Sequence, residues 1–456
     1  MRTILAAKEG ISRVWGSPKP KGVLYRWMKF LLRVEVDEGL LIHNVVTGHL
    51  VFLTNAEIEH LTTSSEENSE LKVELIANHF LVPEDFDEYK SVNQLRRIYQ
   101  RQDTGDEINH YVILPTTFCN AHCFYCYESD YPRFHMTEEM GQKVVDYISE
   151  HRGNKNVTIQ WFGGEPLVGI QRIDQISQGL TDRGIPFSSS MISNGYLFDE
   201  EIVKRSISLW KLDHIQITID GTESIYNKVK AYSEVSDNPY HRVLRNIDLL
   251  INHGVNVNIR LNVDFYNKDD IRELISELGK RYSGKKHVSI YPNMLFNDQG
   301  FEPVHHSPEE IMDLVRIVND DTEQLKALGL GFDRNKIPWL QMSQCMADNP
   351  HTVEIQPDGS FCRCEHETIG DGYGSIDEGI VNPRKLREWR ETIERSESCP
   401  DCEIYPACYL LKQCINAETP CVEEFRLHSV KAHEEQIMKV YFKSLEVKEN
   451  EGFCNP

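Results

Sequence analysis

Apolar positions follow two different rhythms along the chain. From about residue 24 to 54 they alternate with polar positions, and glycines stand where the chain is expected to reverse. This pattern predicts short antiparallel strands. The stretches that follow carry apolar residues at helical spacing up to about residue 104. We therefore expect residues 1–104 to form a small sheet with helices.

From about residue 107 the rhythm changes to strand then helix, repeated. About six such units occur, and their apolar strand segments are YVILPTTF, VTIQWF, FSSSMIS, HIQITID, VNVNIRLNVD and HVSIYPN. Alternation of this kind implies a parallel sheet with helices packed against it. The predicted fold is α/β: residues 105–335 form a partial (β/α)6 barrel like an incomplete TIM barrel. Its active site is expected at the C-terminal ends of the strands.

Residues 336–456 have a different character, rich in cysteine, glycine and turns. Of the twelve cysteines of the chain, eight lie between residues 345 and 421. A loop-rich segment needs cross-links to stay folded, and metal bound by cysteines can supply them. We expect a third, cysteine-rich domain here.

Charge and hydropathy narrow the possible partners. The net charge of -22 disfavours nucleic acid, and no stretch approaches the roughly 20 apolar residues of a membrane helix. Residues 1–33 form a weakly basic arm, which could favour an acidic peptide or be merely solvated. No signal-peptide core is apparent at the start, so a cytoplasmic location is expected. In that reducing compartment, many cysteines indicate metal or redox chemistry rather than disulfides.

Three cysteines directly follow the first barrel strand. Cys119, Cys123 and Cys126 have the spacing C-x3-C-x2-C. Three thiolates can hold three irons of a four-iron, four-sulfur cluster and leave the fourth iron open to a small molecule. A structural zinc site is the alternative, although a closed zinc site usually has four ligands.

This stretch resembles the radical S-adenosylmethionine (radical SAM) superfamily, whose signature is C-x3-C-x-aromatic-C. Tyr125 occupies the aromatic position, which in the family lies beside the adenine. The motifs GGE, SNG, QITIDGTE and NIRLNVD follow at the ends of successive strands. The resemblance implies that S-adenosylmethionine (SAM) is bound by these motifs. Besides Tyr125, the residues it assigns to SAM are Gly163, Gly164, Glu165, Ser193, Gln216, Arg260 and Asn262, while Asp220 and Gly221 would shape the fourth turn.

One motif departs from the family pattern. Relatives with DG-x-x-E often continue with His-Asp and then Arg, whereas this chain reads DGTESIYNKVK, with Lys230 in the arginine position. Lysine is a point charge without the planar fork of arginine. A carboxylate clamp at this position is therefore in doubt.

The C-terminal cysteines resemble the SPASM extension of radical SAM enzymes, which houses two auxiliary four-iron clusters. By motif position, the first cluster would be held by Cys345, Cys364 and Cys414, and the second by Cys399, Cys402, Cys408 and Cys421. The last interval, CYLLKQC, is longer than usual and puts Cys414 in doubt. Cys362 could complete the first cluster, or one iron could stay open. Two zinc sites would satisfy the same count, and Cys454 is expected to be an unligated thiol.

These resemblances imply a peptide maturase. Residues 1–104 resemble the winged-helix-like module that captures a precursor's leader peptide as an added strand. The implied reaction is reductive cleavage of SAM to a 5′-deoxyadenosyl radical, hydrogen abstraction, and formation of intramolecular thioether links from cysteine sulfur to carbon, as in ranthipeptide synthases. Carbon–carbon cross-linking, formylglycine formation in a sulfatase, and a non-catalytic iron–sulfur or zinc scaffold remain alternatives. A flavodoxin or ferredoxin is the expected electron donor.

Overall fold

The computed structural model describes residues 1–8, 24–63, 69–102, 107–295 except 234 and 236, 306–332, 337–342, 345–391, 394, 396–411 and 421–452. By clustering of contacts the chain forms two compact units. The first unit comprises residues 1–104, 334–344 and 392–456, and the second comprises residues 105–333 and 345–391.

The second unit is built on one sheet, whose six central strands run parallel and alternate with helices. The central strands are β7 (His110–Ile113), β8 (Val157–Trp161), β9 (Phe187–Ser193), β10 (Leu212–Ile219), β11 (Asn256–Val263) and β12 (Val288–Met294). The helices are α4 (Glu138–His151), α5 (Ile170–Asp182), α6 (Glu200–Ser208), α7 (Glu223–Lys230), α8 (Pro239–Asn252), α9 (Lys268–Tyr282) and α10 (Pro308–Ala327). The predicted run of six strand–helix units is confirmed.

Local sequence signals set the helix ends that the site depends on. Thr137 caps α4 by accepting a hydrogen bond from the Met140 amide, and two glutamates follow in the first turn, where they favour the helix dipole. Helix α7 ends at Ala231, which adopts a left-handed backbone conformation with φ 41°. That conformation stops the helix immediately after Lys230.

Apolar side chains occupy both faces of the parallel sheet. A large core between the strands and the helices includes Ile159, Trp161, Ile217 and Ile259. A small cluster of Val112, Leu114 and Phe162 packs separately. Because neighbouring strand residues point to opposite faces, Tyr111 and Ile113 join the large core while Val112 joins the small one.

The same sheet continues past β7 into the cysteine-rich segment. Strand β13 (Thr352–Ile355) pairs with β7 in parallel, and β14 (Ser360–Cys362), β15 (Gly374–Ser375) and β16 (Gly379–Ile380) follow as antiparallel strands. The short helix α11 (Pro383–Glu388) comes next. The second unit thus contains a ten-stranded sheet.

The first unit is a smaller body around two sheets. Its four-stranded sheet has the order β1 (Arg2–Leu5), β5 (Leu50–Thr54), β4 (Gly39–Asn44), β3 (Leu31–Val36), and β2 (Tyr25–Trp27) pairs with β6 (Leu81–Pro83). Its helices are α1 (Asn55–Thr63), α2 (Glu70–Ala77), α3 (Glu88–Gln102) and α12 (Glu423–Gly452).

The expected single C-terminal domain, residues 336–456, is divided between the two units. Residues 345–391 join the second unit because β13 extends its sheet. Residues from 392 onward join the first unit, where Tyr405, Ile437 and Tyr441 are part of the N-terminal apolar core. The expected boundaries near residues 104 and 335 lie within two residues of unit boundaries.

None of the helices in the described parts of the chain is both long enough and apolar enough to cross a membrane.

Candidate functional site: a cysteine loop at the ends of the barrel strands

The loop after β7 brings three thiols into one neighbourhood. Cys119, Cys123 and Cys126 are free and half-buried. Burial, followed by the Glu165 carboxyl, raises the pKa of Cys119 to about 12, and the other two thiols contribute to the shift. Burial and Glu128 raise the pKa of Cys126 to about 12. Thiols of this kind are protonated at neutral pH and must release protons when they ligate metal.

The donor set fits an iron–sulfur cluster with three protein ligands. All three sulfurs sit on one short loop at the C-terminal edge of the sheet, and each is close enough to the others to affect their ionisation. Thiolates are the ligands that iron–sulfur clusters use. The cysteines therefore suit the group that the sequence motif implies.

Two glycines let the next strand's loop lie directly against this cysteine loop. A Cβ on Gly163, whose φ is +108°, would lie 2.3 Å from the Thr116 carbonyl oxygen. A Cβ on Gly164 would lie 2.5 Å from the Phe118 carbonyl oxygen. Neither position has room for a side chain, so backbone packing requires the two glycines of the GGE sequence.

Glu165, which follows these glycines, is a buried connector between two strand ends. Its amide donates to the Phe118 carbonyl at 2.9 Å. Its carboxylate accepts hydrogen bonds from the Leu167 amide at 3.1 Å, the Ser193 hydroxyl at 2.9 Å and the Asn194 amide at 2.8 Å. Burial raises the pKa of Glu165 to about 7, although these hydrogen bonds favour its charged form.

We expect Glu165→Gln to destabilise the protein by about 1–3 kcal/mol. The carboxylate accepts hydrogen bonds from three donors, and the NH2 group of glutamine would face one of these donors instead of accepting its hydrogen bond. The substitution should also change how the stability of the folded state depends on pH. The native pKa of Glu165 lies above its ordinary value of 4.5, so the folded state holds this proton more tightly and loses stability as pH rises through about 4.5 to 7. Thermal unfolding measured across this range should show that Glu165→Gln removes this part of the slope.

Glu139→Gln is the matched control. Glu139 lies on α4 with its side chain 81% exposed, so its replacement should change stability little. Equal effects of the two substitutions at all pH values would contradict the role assigned to Glu165.

The third strand's loop also reaches the cysteines. Asn194 donates its side-chain amide to the Asn120 side-chain oxygen at 2.7 Å, and the same nitrogen lies 3.9 Å from the Cys119 sulfur. In the motif SNG, the sequence assigned Ser193 to SAM; in the structure the Ser193 hydroxyl donates a hydrogen bond to Glu165. Asn194, which the sequence did not assign, is the member of the motif that reaches the cysteine loop.

A buried ion pair lies beneath Tyr125. Lys230 places its ammonium 3.0 Å from Asp220, and their side chains are only 5% and 0% exposed. The Tyr125 hydroxyl donates to Asp220 at 2.7 Å and accepts from Lys230 at 3.2 Å and from the Asn262 amide at 3.1 Å. The predicted SAM residues Tyr125 and Asn262 thus share one polar network with the unusual lysine.

The remaining predicted SAM residues lie on neighbouring strands of the sheet. Arg260 on β11 is in register with Tyr291 on β12, and its guanidinium donates to the Asn262 side chain at 2.9 Å. Gln216 on β10 accepts a hydrogen bond from the Tyr291 hydroxyl. Gly221 follows β10 with φ +157°, close to extended.

The described cysteines of the first predicted auxiliary set lie in the second unit. Cys362 and Cys364 are buried, whereas Cys345 is exposed. Between the two buried thiols, the guanidinium of Arg363 donates to the carbonyls of Ala347 at 2.7 Å, Thr352 at 3.0 Å and Asn349 at 3.0 Å. Sequence reasoning did not single out this arginine, which ties the strand of Cys362 to the segment after Cys345.

The second predicted set lies in the first unit. The ionisation of Cys408 is affected by Cys402, Cys421 and Cys399, so the four thiols are near one another. Cys414 and Cys454 lie outside the described residues. Within the described ranges, no group of three or more His, Cys, Asp or Glu side chains is arranged to hold a single metal ion, whereas the thiolates of an iron–sulfur cluster are spread over several irons.

Part of this chain is similar to known proteins. The model of the radical SAM superfamily matches residues 113–278. GTP 3',8-cyclase of Clostridium perfringens is 23% identical over 300 residues, which are 62% of this chain and 88% of the cyclase. The radical SAM cyclopropyl synthase TigE of Paramaledivibacter caminithermalis is 24% identical over 309 residues, which are 55% of this chain and 65% of TigE.

Solved structures show the same fold. The structure of native anSMEcpe with bound AdoMet aligns with a TM-score of 0.54 at 15% identity and covers 75% of this chain and 100% of that one. A second structure of anSMEcpe, with bound AdoMet and Cp18Cys peptide, aligns with a TM-score of 0.53 at 15% identity over 75% of this chain and 99% of that one.

Proposed function

We propose that this chain, an enzyme of the radical SAM superfamily, acts on a ribosomally made precursor peptide. The observation that carries the proposal is the three-thiol loop at the C-terminal edge of the parallel sheet, braced by GGE and SNG, in a chain with a separate cysteine-free N-terminal segment. A structure of similar fold supports the substrate class, because anSMEcpe was solved with a bound peptide.

In this proposal Cys119, Cys123 and Cys126 hold a four-iron cluster whose open iron takes SAM. With SAM bound and the cluster reduced, the cluster and SAM together would supply a 5′-deoxyadenosyl radical able to abstract hydrogen from carbon. The chain's own part is to position SAM. Tyr125 and Asn262, which are hydrogen-bonded to Asp220, would position SAM, and Arg260 and Gln216 would do so from their strands. Four further residues would fix the loop that SAM approaches: Gly163, Gly164, Glu165 and Ser193.

The C-terminal cysteines are proposed to hold two further clusters. Cys402, Cys421 and Cys399 all raise the pKa of Cys408, and Cys399 raises that of Cys421, which supports one four-ligand set. For the other set we propose Cys345, Cys364 and Cys414, with Cys362 as fourth ligand or with one iron left for a peptide thiolate. Such clusters would supply an acceptor for the electron that an oxidative cross-link releases.

The N-terminal unit is proposed to bind the leader of the precursor. Strand β3 (Leu31–Val36) ends the order of the four-stranded sheet and pairs only with β4 among the described strands. An edge strand presents unpaired amides and carbonyls to which an extended peptide can add. Exposed Arg33 and Glu35 on this strand would meet polar groups of such a peptide.

Thioether formation is the product we propose. Joining a cysteine sulfur to an unactivated carbon suits an enzyme that combines a radical source with additional thiolate-held clusters. A carbon–carbon link or oxidation to formylglycine would use the same radical source. A flavodoxin or ferredoxin in the cytoplasm is the proposed reductant.

Co-expression with a short precursor peptide encoded beside the enzyme tests the product. We expect mass spectrometry to show loss of a pair of hydrogens for each cross-link and protection of the linked cysteine from alkylation. The same core peptide without its leader should be modified poorly if the N-terminal unit captures the leader.

Other products have distinct signatures in this experiment. Loss of hydrogens with every thiol still open to alkylation would contradict thioether formation and indicate a carbon–carbon link or oxidation of a serine to formylglycine. An unmodified peptide, together with reconstituted protein that binds iron but never releases 5′-deoxyadenosine, would support a non-catalytic scaffold.

A further inference from the structure

The second predicted cysteine set belongs to the same compact unit as β3, the edge strand proposed to take the leader. The cysteines of this set lie among short turns, one of which is the 3-10 helix Tyr405–Ala407. The Tyr405 amide donates to the Cys402 carbonyl at 3.0 Å, and the Cys408 amide donates to the Tyr405 carbonyl at 3.3 Å. Backbone hydrogen bonds therefore fix Tyr405 to two of the four cysteines.

The side chain of Tyr405 packs against the residue that leads into β3. It is buried, and its ring stacks on Phe30 with ring centroids 6.0 Å apart and an interplanar angle of 25°. Phe30 is itself buried and immediately precedes Leu31, the first residue of β3. Its carbonyl accepts a hydrogen bond from the Val45 amide at 3.0 Å, just after β4. A displacement of Tyr405 would therefore disturb the start of the edge strand.

The residues on either side of Phe30 also meet the cysteine segment. The Lys29 ammonium lies 2.6 Å from the Asp401 carboxylate in an exposed ion pair, which contributes little to stability by itself. Leu31 belongs to the same buried apolar core as Cys399. Three consecutive residues at the entry to β3 thus face the segment that carries the second cysteine set.

A buried arginine of helix α3 holds the turn between Cys402 and Cys408. The Arg96 guanidinium donates to the carbonyls of Tyr405 at 3.2 Å and Pro406 at 3.0 Å, and it lies 4.9 Å from the centroid of the Tyr405 ring. The Tyr405 hydroxyl donates to the Asn93 side chain on the same helix at 2.8 Å. The orientation of the Tyr405 ring is therefore set by contacts at both its backbone and its hydroxyl.

The fourth cysteine of the set is linked to β3 through helix α12. Cys421 lies two residues before α12 (Glu423–Gly452), and this helix packs against β3. In its first turn, Arg426 donates to the side chain of Glu403, the residue after Cys402, at 3.0 Å. Both the turn after Cys402 and the helix after Cys421 therefore adjoin the same edge strand.

We propose that the second cysteine set, once it holds metal, fixes the leader-binding edge and so determines the affinity of the protein for the leader. Ligation joins four thiolates that lie on separate turns, and the free energy of metal binding then stabilises the segment that carries them. Tyr405 and α12 transmit this constraint to β3. By linkage, a bound leader strengthens metal retention by the same factor. The inference rests on the proposed leader binding, and it gives these cysteines a part in recognition as well as in electron transfer.

The test is the affinity of the anaerobically reconstituted full chain for a fluorescein-labelled synthetic leader, taken from the precursor encoded beside the enzyme and followed by fluorescence anisotropy. We expect Cys402→Ala to lose about one cluster's worth of iron and to bind the leader about fivefold or more weakly. Cys119→Ala is the matched control, because it should lose the iron of the other unit and keep native leader affinity. Equal affinities of Cys402→Ala and the native protein would overturn the proposal.

A pair of substitutions at Tyr405 separates the contact from the metal. Tyr405→Leu keeps the four cysteines but removes the ring that stacks on Phe30. It should retain iron, bind the leader several-fold more weakly and show faster hydrogen exchange at the amides of Leu31–Val36. Tyr405→Phe keeps the ring and should behave like the native protein in both measurements. Equal behaviour of the two variants overturns the proposal, even where Cys402→Ala does not fold.

The outcomes also separate this inference from the proposed function. A native protein that binds no leader would contradict leader capture itself. Hydrogen exchange of β3 is measured without peptide, so it still shows whether the second cysteine set and Tyr405 hold the strand. Native leader affinity in Cys402→Ala would overturn the inference while leaving leader capture intact. Absence of a thioether product would change none of these affinities and would count only against the proposed product.

Discussion

Cys119→Ala is expected to abolish release of 5′-deoxyadenosine and to remove about one cluster's worth of iron. The loop supplies only three thiols, so loss of one leaves two protein ligands for the proposed cluster. Cys119 also lies beside the loops of the second and third strands, because its sulfur is 3.9 Å from the Asn194 side-chain nitrogen and Glu165 raises its pKa. The measurements are iron and sulfide content after anaerobic reconstitution, and chromatography of the SAM cleavage products.

Cys454→Ala provides the matched control, since the sequence predicts an unligated thiol at that position. It should keep native iron content and native SAM cleavage. Cys399→Ala should lose iron but retain some SAM cleavage, because its proposed cluster is not the one that binds SAM. Zinc in place of iron at the C-terminal cysteines, found by elemental analysis, would contradict the auxiliary clusters while leaving the Cys119 prediction intact.

Gly163→Ala is expected to impair assembly of the site nearly as strongly as Cys119→Ala does. The new methyl group would lie 2.3 Å from the Thr116 carbonyl oxygen, which is backbone and cannot turn aside. The loop that carries Cys119 would have to move away from the GGE loop. We expect loss of SAM binding and at least a several-fold loss of cluster occupancy, measured by calorimetry and by iron content.

A second glycine separates this clash from backbone strain. Gly184 also has a positive φ, +65°, but a Cβ there would meet nothing within 4 Å. Gly184→Ala should cost only about 1–2 kcal/mol of stability for its left-handed conformation and should leave SAM binding intact. If both glycine variants bind SAM equally well, the close contact between Gly163 and the Thr116 carbonyl is not needed for SAM binding.

The architecture of the barrel was predictable because strand and helix alternate so regularly. Parallel strands that alternate with helices have their carboxyl ends at one edge. Cys119, Gly163, Ser193, Asp220 and Asn262 could therefore be assigned to that edge from their positions after apolar runs. In the structure, hydrogen bonds join Asp220 to Tyr125 and Asn262, and join Ser193 to Glu165, which follows Gly163 and Gly164.

The contacts that organise the site could not be predicted in the same way. The partners Tyr125 and Asp220 are 95 positions apart, and Glu165 and Ser193 are 28 positions apart. One sequence contains no information on which polar side chains meet across such separations. Lys230 was visible only as a departure from a motif, and its burial against Asp220 appears only in the fold.

The division of the C-terminal segment was missed for a different reason. Cysteines and glycines dominated the interpretation of residues 336–456, although Val430, Ile437 and Tyr441 stand at helical spacing within α12. Arg363 was equally hidden, because a lone arginine in a loop-rich segment is usually at the surface. Its burial follows from three backbone carbonyls that converge on it.

The pairing of β13 with β7 limits how far this chain can be shortened. Without Thr352–Ile355, the strand that delivers the cysteine loop would become the outer edge of the sheet, with Tyr111, Val112 and Ile113 on it. A hydrophobic strand with an open edge invites pairing with other chains. Evolution could thus vary what the cysteine-rich segment binds. Loss of the whole segment would also require another way to cover the exposed edge of β7.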